Sequence, residues 1–383
     1  MQPQPFRVFI SAAEQSADRH GASLIRTVLA RRPGIRFVGV AGPRMVEAGC
    51  DALFDMSAHS AMLLGAVKAA GRAVKMLRQA DECLRRFPFD AAVVIDSPTL
   101  HLPLAASAQA IGVPVLYYIA PQLWAWGSYR IHKVRNRVEK LAVILPFEEA
   151  YFRSQGVDAV YVGHPLAEQL DQFTPDEDAI AAIKNSGAPF VTLLPGSRKH
   201  VVESVLPGQL DVAARIQAVF PKAAFGVSVA NSQVAPVISA MLAASPIRVG
   251  AYDRRYTELI RAADLVLVAS GTTTLEVAFH GRPMIVMYQA SRLFYHLVGR
   301  WMIQTPYLSL PNILAGREIV PEFMPYYTST APIAERAINL LRSEDDRRSM
   351  IRDLEDVVRP LRGTRASERT ADLLLGMIDR SRH

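Results

Sequence analysis

Short apolar runs alternate along this chain with longer stretches whose apolar positions recur every three or four residues. FRVFIS (6–11), RFVGVAG (36–42), AAVVID (91–96), VPVLYYIAP (113–121), LAVILP (141–146) and AVYVG (159–163) predict strands. Asp18 to Arg31 predicts a helix with Leu24, Ile25, Val28 and Leu29 on one side. Helical patterns separate most of the strands, which predicts a mainly parallel sheet wound on both faces. A polar stretch follows at 166–188, where QFTPDEDAI reads as a linker leading into a helix. The alternation then restarts with FVTLLPG (190–196), AAFGVSVA (223–230), PIRVG (246–250), ADLVLVASG (263–271) and RPMIVMYQ (282–289). The expected fold is α/β, two Rossmann-like domains facing an interdomain cleft, with ligands at the carboxyl ends of the strands. Expected boundaries are 1–168, 169–345 and a charged helical tail, 346–383, whose last helix can cross back to the first domain.

A length of 383 residues fits two domains, and 50% hydrophobic residues supply their cores. Cys50 and Cys83 are the two cysteines, too few for a disulfide framework or a spaced metal-ligand set. The start, MQPQPFRVFISAAEQ, lacks a basic stretch followed by a long apolar run, which speaks against a secretory signal. No 18-residue apolar stretch is free of charges, so a spanning helix is not expected. The net charge of +7 favours anionic partners. Nucleic acid is not expected among them, because the basic residues are scattered and no recognition motif is present. A membrane surface fits better. Residues 60–79, SAMLLGAVKAAGRAVKMLRQ, and 291–302, SRLFYHLVGRWM, mix bulky apolar side chains with Lys and Arg, as interfacial helices do and as packed interdomain helices also can.

Three segments of the second half suit a nucleotide diphosphate. LLPGSR (193–198) ends a strand in a turn whose N–H groups can cradle phosphate, with Arg198 as a planar multidonor. In ASGTTTLE (269–276), Ser270, Gly271 and Thr272 open a helix, and Glu276 can accept from a ribose diol or simply favour the positive helix end. SLPNILAGREIVPEF (309–323) offers Asn312 and Arg317 to a cleft, or else begins an ordinary solvated helix.

The first half carries groups suited to an acceptor. SAAEQSADRHGA (11–22) brings Glu14, Ser16, Asp18 and His20 to a strand end, as ligand groups or as helix caps, without the glycine spacing of a dinucleotide fingerprint. VVIDSPTLHLPLA (93–105) places Asp96 at the next such end, followed by Thr99 and His101. Asp96 can take a proton from a sugar hydroxyl; His101 is a base or a packed core histidine. In YYIAPQLWAWGSYRIHKVR (117–135), Trp124 and Trp126 precede Tyr129, Arg130, His132, Lys133 and Arg135. They are core anchors or a sugar and acyl-chain surface, with the bases receiving phosphate.

Over about 6–375 these segments together resemble the lipid-A-disaccharide synthase family. RFVGVAGPRM (36–45), PQLWAWGSYRIHKV (121–134), ILPFEEAYF (144–152), VGHPL (162–166), LLPGSR, ASGTTTLE and SLPNILAGREIVPEF carry the resemblance in order. It implies a glycosyltransferase B architecture and an inverting transfer of 2,3-diacylglucosamine from UDP to 2,3-diacylglucosamine 1-phosphate. The implied product is a β-1,6-linked lipid disaccharide, made without a metal or other cofactor. A peripheral position on the inner face of the cytoplasmic membrane is implied too, and a homodimer is allowed. Arg198 and Glu276 resemble the family's diphosphate and ribose contacts, Ser270, Gly271 and Thr272 its nucleotide loop, Asn312 and Arg317 its later cleft motif. Glu14, Ser16 and Asp18 match its first polar loop; Thr99, Trp126 and Arg130 fall on the acceptor side.

Two departures bear on mechanism. Where the family usually has G-E-x-S-G-D, this chain has Ala13-Glu14-Gln15-Ser16-Ala17-Asp18, losing two glycines. Where the family has I-D-x-P-D-x-N, this chain has Ile95-Asp96-Ser97-Pro98-Thr99 and then His101. The family's leading base candidate is the second aspartate of that motif, and a neutral Thr99 hydroxyl cannot replace it. The expected base is therefore Asp96 or, second, His101, with Glu14 and Asp18 as other nearby acids. The alternatives are a diverged paralogue with another acceptor, a nucleotide-sugar epimerase and a noncatalytic lipid or nucleotide-sugar binding protein.

Overall fold

A computed structural model describes residues 5–55, 66–171, 173–290 and 305–381. The chain divides into two compact units, Met1–Asp171 with Gly363–His383, and Gln172–Arg362. The chain passes into the first unit at Gly363, so the helix Glu344–Val358 belongs to the second, where the sequence reading began the returning tail at 346.

The first unit holds a seven-stranded parallel sheet built from β1 (Arg7–Ala12), β2 (Arg36–Ala41), β3 (Cys50–Asp55), β4 (Ala91–Ile95), β5 (Val115–Tyr118), β6 (Lys140–Val143) and β7 (Ala159–Tyr161), in the order β3-β2-β1-β4-β5-β6-β7. The second holds a six-stranded parallel sheet of β8 (Phe190–Leu194), β9 (Ala224–Val229), β10 (Gly250–Asp253), β11 (Leu265–Ala269), β12 (Met284–Met287) and β13 (Glu322–Phe323), ordered β10-β9-β8-β11-β12-β13. Central strands such as AAVVI of β4, FVTLL of β8 and LVLVA of β11 are buried along their whole length. Continuous apolar runs are what a parallel sheet covered by helices on both faces requires.

In each sheet the strand order reverses once, between β1 and β4 in the first and between β8 and β11 in the second. Ala12 pairs with Ile95 and Leu194 with Val268, so the loops leaving these strands start side by side. Helices that follow two such strands run to opposite faces of the sheet, and the crevice between their starts is where α/β folds bind ligands.

Sequence periodicity missed or displaced the edge strands. CDALFD of β3 was not expected, and β10 lies at Gly250–Asp253 rather than at 246–250. An edge strand is covered less and needs no unbroken apolar run; three of the four β10 residues are exposed. The polar stretch after residue 166 contains the helices Pro165–Asp171 and Glu177–Lys184. Asp176 caps the second by accepting from the Ala179 N–H at 3.0 Å.

The helix Ala366–Ser381 packs against the helix Gln15–Arg31 and buries Ala371, Leu374, Met377 and Ile378 in the core around Val8, Ile10 and Leu24. Arg31–Asp372 and Arg32–Asp379 ion pairs fringe this contact, and Glu168 accepts from the Ser367 N–H and hydroxyl. Exposed pairs contribute little, so apolar burial holds the helix. Leu374 is fully buried. Leu374→Ala should cost the protein about 3 kcal/mol in chemical denaturation; a loss below about 1 kcal/mol would show that this helix is not part of the first unit's core.

Candidate active site

At the first unit's reversal point, β1 runs into Glu14, which occupies the cap position of the helix Gln15–Arg31; Ser16 stands in its first turn, and both are exposed. Asp18 is 5% exposed and its two carboxylate oxygens accept from the N–H groups of Arg44 and Met45, both at 3.1 Å. It caps the start of the short helix Pro43–Glu47, and a Cβ on Gly42 would lie 2.4 Å from its carboxyl carbon. Of the two roles left open for Asp18, ligand group or helix cap, the structure shows the cap. The two alanines that replace the family's loop glycines are accommodated, because Ala17 lies within the helix and neither alanine takes a positive φ.

Next to this loop, β4 ends in two consecutive residues with left-handed backbone, Asp96 at φ 56° and Ser97 at φ 45°. Such conformations persist in non-glycine residues only where surrounding bonds hold them. Here the Asp96 carbonyl accepts from the Tyr117 hydroxyl and from His101 Nδ1, each at 2.7 Å. A carbonyl only accepts, so Nδ1 carries the proton and Nε2 accepts from the Ser11 hydroxyl at 2.9 Å. His101 has no exposed surface, and burial lowers its pKa to about 4. It is not available as a base; the second base candidate is replaced by a structural role, pinning the turn that presents Asp96. Asp96 itself is half-buried at the strand end, and Thr99 is exposed in the first turn of the helix Pro98–Ala110.

The loop after β5 supplies Trp124, Trp126 and Arg130. Trp124 is buried and donates from Nε1 to Glu148 Oε1 at 2.9 Å. The other oxygen of Glu148 accepts from the N–H groups of Ile144 and Leu145, at 3.2 and 3.0 Å. Burial raises this carboxyl to about 7. Glu148 thus ties the tryptophan loop to the end of β6, a role the sequence reading did not assign although ILPFEEAYF marked the segment. Trp126 is 40% exposed, and the Arg130 guanidinium stacks on its ring at 4.6 Å.

In the second unit the two donor loops leave β8 and β11, the strands that flank its reversal point. Arg198 is exposed and stands at the cap position of the helix Lys199–Val219. Its loop is pinned by Asn231, whose Nδ2 donates to the Ser197 carbonyl at 3.0 Å while its Oδ1 accepts from the N–H groups of Gln233 and Val234. Across from it Ser270 is half-buried, and Gly271 and Thr272 are exposed at the start of the helix Thr272–Phe279. No side chain caps that helix, so its opening N–H groups face the loop. Glu276 is half-buried one turn further on, where burial and, after it, the negative charge of Glu276 raise the pKa of the half-buried Tyr256. Tyr256 is absent from the sequence reading.

Two donor-side residues have internal partners in the structure. Asn312 is fully buried and all its bonds are internal: Nδ2 donates to the Val320 carbonyl at 2.9 Å and to Glu322 at 3.0 Å, and Oδ1 accepts from the N–H groups of Ile319 and Val320. It shapes the 309–323 segment and has no group left for a nucleotide. Arg317 forms a two-point surface ion pair with Asp353 at 2.7 and 3.3 Å, its side chain 60% exposed. Of the two stretches expected at a membrane, 291–302 and the 60–65 part of 60–79 lie outside the described residues. The helix Ala66–Arg86 takes up the remainder, with Val74 exposed. No described helix is long and apolar enough to cross a membrane.

Two parallel α/β units, each with polar loops at its reversal point, fit glycosyltransferases of the B type. CalG4, the calicheamicin glycosyltransferase, matches at a TM-score of 0.59 and 14% identity, covering 99% of this chain and 99% of that one. A UDP-GlcNAc 2-epimerase from Neisseria meningitidis bound to UDP-GlcNAc matches at 0.56 and 11% identity, over 98% of this chain and 99% of that one. These likenesses establish the fold. Sequence decides the family: the profile of lipid-A-disaccharide synthetase matches residues 8–375. The chain belongs to the lipid-A-disaccharide synthetase family. A lipid-A-disaccharide synthase of Myxococcus xanthus is 33% identical over 383 residues, covering 98% of each chain. As a member of this family the chain is a glycosyltransferase of lipid A disaccharide formation, and the epimerase alternative is not favoured.

The buried imidazole gives a pH test of the pinned turn. His101 is held at about 4 against 6.5 in the unfolded chain. As pH falls below 6.5 the unfolded chain takes up this proton while the folded one does not until about 4, so the residue's full contribution exists above 6.5 and is lost on the way down. The wild-type melting temperature, taken relative to His101→Asn, should therefore fall between about pH 7 and about pH 4. A difference that stays constant over that range would contradict a buried neutral His101.

Proposed function

We propose that this chain moves 2,3-diacylglucosamine from UDP to the 6-hydroxyl of 2,3-diacylglucosamine 1-phosphate, with inversion, giving a β-1,6-linked disaccharide phosphate and UDP. Family membership supports the reaction class. The observation that carries the assignment of roles is the adjacency of Arg198 and the Gly271 helix start on neighbouring strands. A planar guanidinium and open helix N–H groups together suit a diphosphate, and they stabilise the charge that grows as UDP departs. Glu276 is assigned to the ribose hydroxyls.

On the acceptor side Asp96 is assigned as the base. Thr99 lacks the carboxylate that the family motif carries there, His101 is sealed and Asp18 is a cap. Asp96 is the acid left on the strained turn, with Glu14 across the reversal point as its neighbour. A carboxylate that takes the hydroxyl proton as the anomeric bond breaks contributes about 10²–10⁴ in rate. We also assign this chain to the membrane surface, because both sugars carry acyl chains and the net charge is +7.

Asp96→Asn should lower kcat for disaccharide formation by about 10²–10⁴ with little change in donor KM. Adding Thr99→Asp to that variant should recover part of the loss, because it restores an acid one turn away. Full activity in Asp96→Asn would remove Asp96 as the base. A fall in donor affinity rather than kcat would move Asp96 to the donor site.

A further inference from the structure

The tryptophan loop holds a cation that internal packing does not account for. Arg130 ends the short 3-10 turn Ser128–Arg130, and its guanidinium lies over two rings, 4.6 Å from the centre of Trp126 and 5.7 Å from that of Tyr129. Both rings are open to solvent, Tyr129 at 70%. Ring stacking fixes the plane of a guanidinium while leaving its N–H edges unused. Arg130 Nε is buried and has no hydrogen-bond partner. An unpaired N–H on a cation is costly, and a bound anion near this guanidinium would offset part of that cost through its charge.

The backbone is shaped around this side chain. Gly127 has φ 73°, and a Cβ there would lie 2.5 Å from a guanidinium nitrogen of Arg130. From Pro121 to Val138 the chain carries Arg130, Lys133, Arg135, Arg137 and His132 with no Asp or Glu. The loop lies at the carboxyl end of the first sheet, near the pinned turn: the charges of Asp96 and Arg130 both bear on the Tyr117 hydroxyl, in opposite directions. A ring-stacked guanidinium beside the assigned base is suited to a planar two-point contact with a phosphate.

We propose that Arg130, packed over Trp126 and Tyr129, binds the phosphate of the acceptor sugar and sets the preference for a phosphorylated acceptor. This inference rests on the transfer reaction proposed above, and it makes Arg130 a specificity residue rather than a group that touches the reacting atoms.

The test compares 2,3-diacylglucosamine 1-phosphate with 2,3-diacylglucosamine as acceptors, in wild type, Arg130→Ala and Arg130→Lys. The ratio of kcat/KM for the two acceptors should fall at least tenfold in Arg130→Ala, mainly through the KM of the phosphorylated one, with Arg130→Lys in between. An equal loss on both acceptors, or an unaltered ratio, would overturn the proposal. A second measurement separates this from failure of the transfer reading: calorimetric titration of glucosamine 1-phosphate and of glucosamine into the donor-free protein. If wild type makes no disaccharide yet binds the phosphorylated sugar in an Arg130-dependent way, the phosphate site stands and the transfer reading falls. Equal binding of the phosphorylated sugar by wild type and Arg130→Ala would overturn the site itself, whatever the enzyme turns over.

Discussion

The reversal of strand order in each parallel sheet is the constraint on which the rest depends. Once β4 pairs with β1, and β11 with β8, their following helices leave on opposite faces and the strand ends stay uncovered. Elsewhere the central strands are buried along their whole length. At the two reversal points the chain instead exposes loop N–H groups and short polar side chains. Glu14 and Asp96 share one such point; Arg198 and Gly271 share the other. Residues far apart in sequence therefore meet without any loop having to reach for its partner.

Within each point, hydrogen bonding divides the polar residues into supports and working groups. Asp18, His101 and Asn312 have their polar atoms matched to internal partners, and a buried group so matched holds its surroundings in one shape. Glu148 and Asn231 do the same for the tryptophan loop and the Arg198 loop. What these supports present is the half-buried Asp96 and Arg130, with Arg198 and the start of the Gly271 helix exposed. The replacement of the family's asparagine by His101 fits this division, because the imidazole spans the Asp96 carbonyl and the Ser11 hydroxyl at once.

Much of the fold was legible in the sequence because parallel strands buried on both faces need continuous apolar runs, and AAVVI, FVTLL and LVLVA are such runs. The edge strands β3 and β10 were not, since their exposure relaxes that demand. The donor loops could be read for a similar reason: LLPGSR and ASGTTTLE each join a buried strand to a helix start. Sequence could not tell a polar residue turned outward from one turned inward. For Asp18, His101 and Asn312 a ligand role and a structural one both stayed open, because most of their partners are backbone groups, which leave no trace in residue identity. Tyr256 and Glu148 escaped notice because their partners lie on other elements.

Acceptor-dependent transfer by a chain that lacks an acid at position 99 can be tested by UDP release from UDP-2,3-diacylglucosamine, measured with and without 2,3-diacylglucosamine 1-phosphate and coupled to mass detection of lipid product. UDP release should depend on the acceptor, and the product should have the mass of the disaccharide phosphate. Donor binding without acceptor-dependent UDP or disaccharide would contradict such transfer.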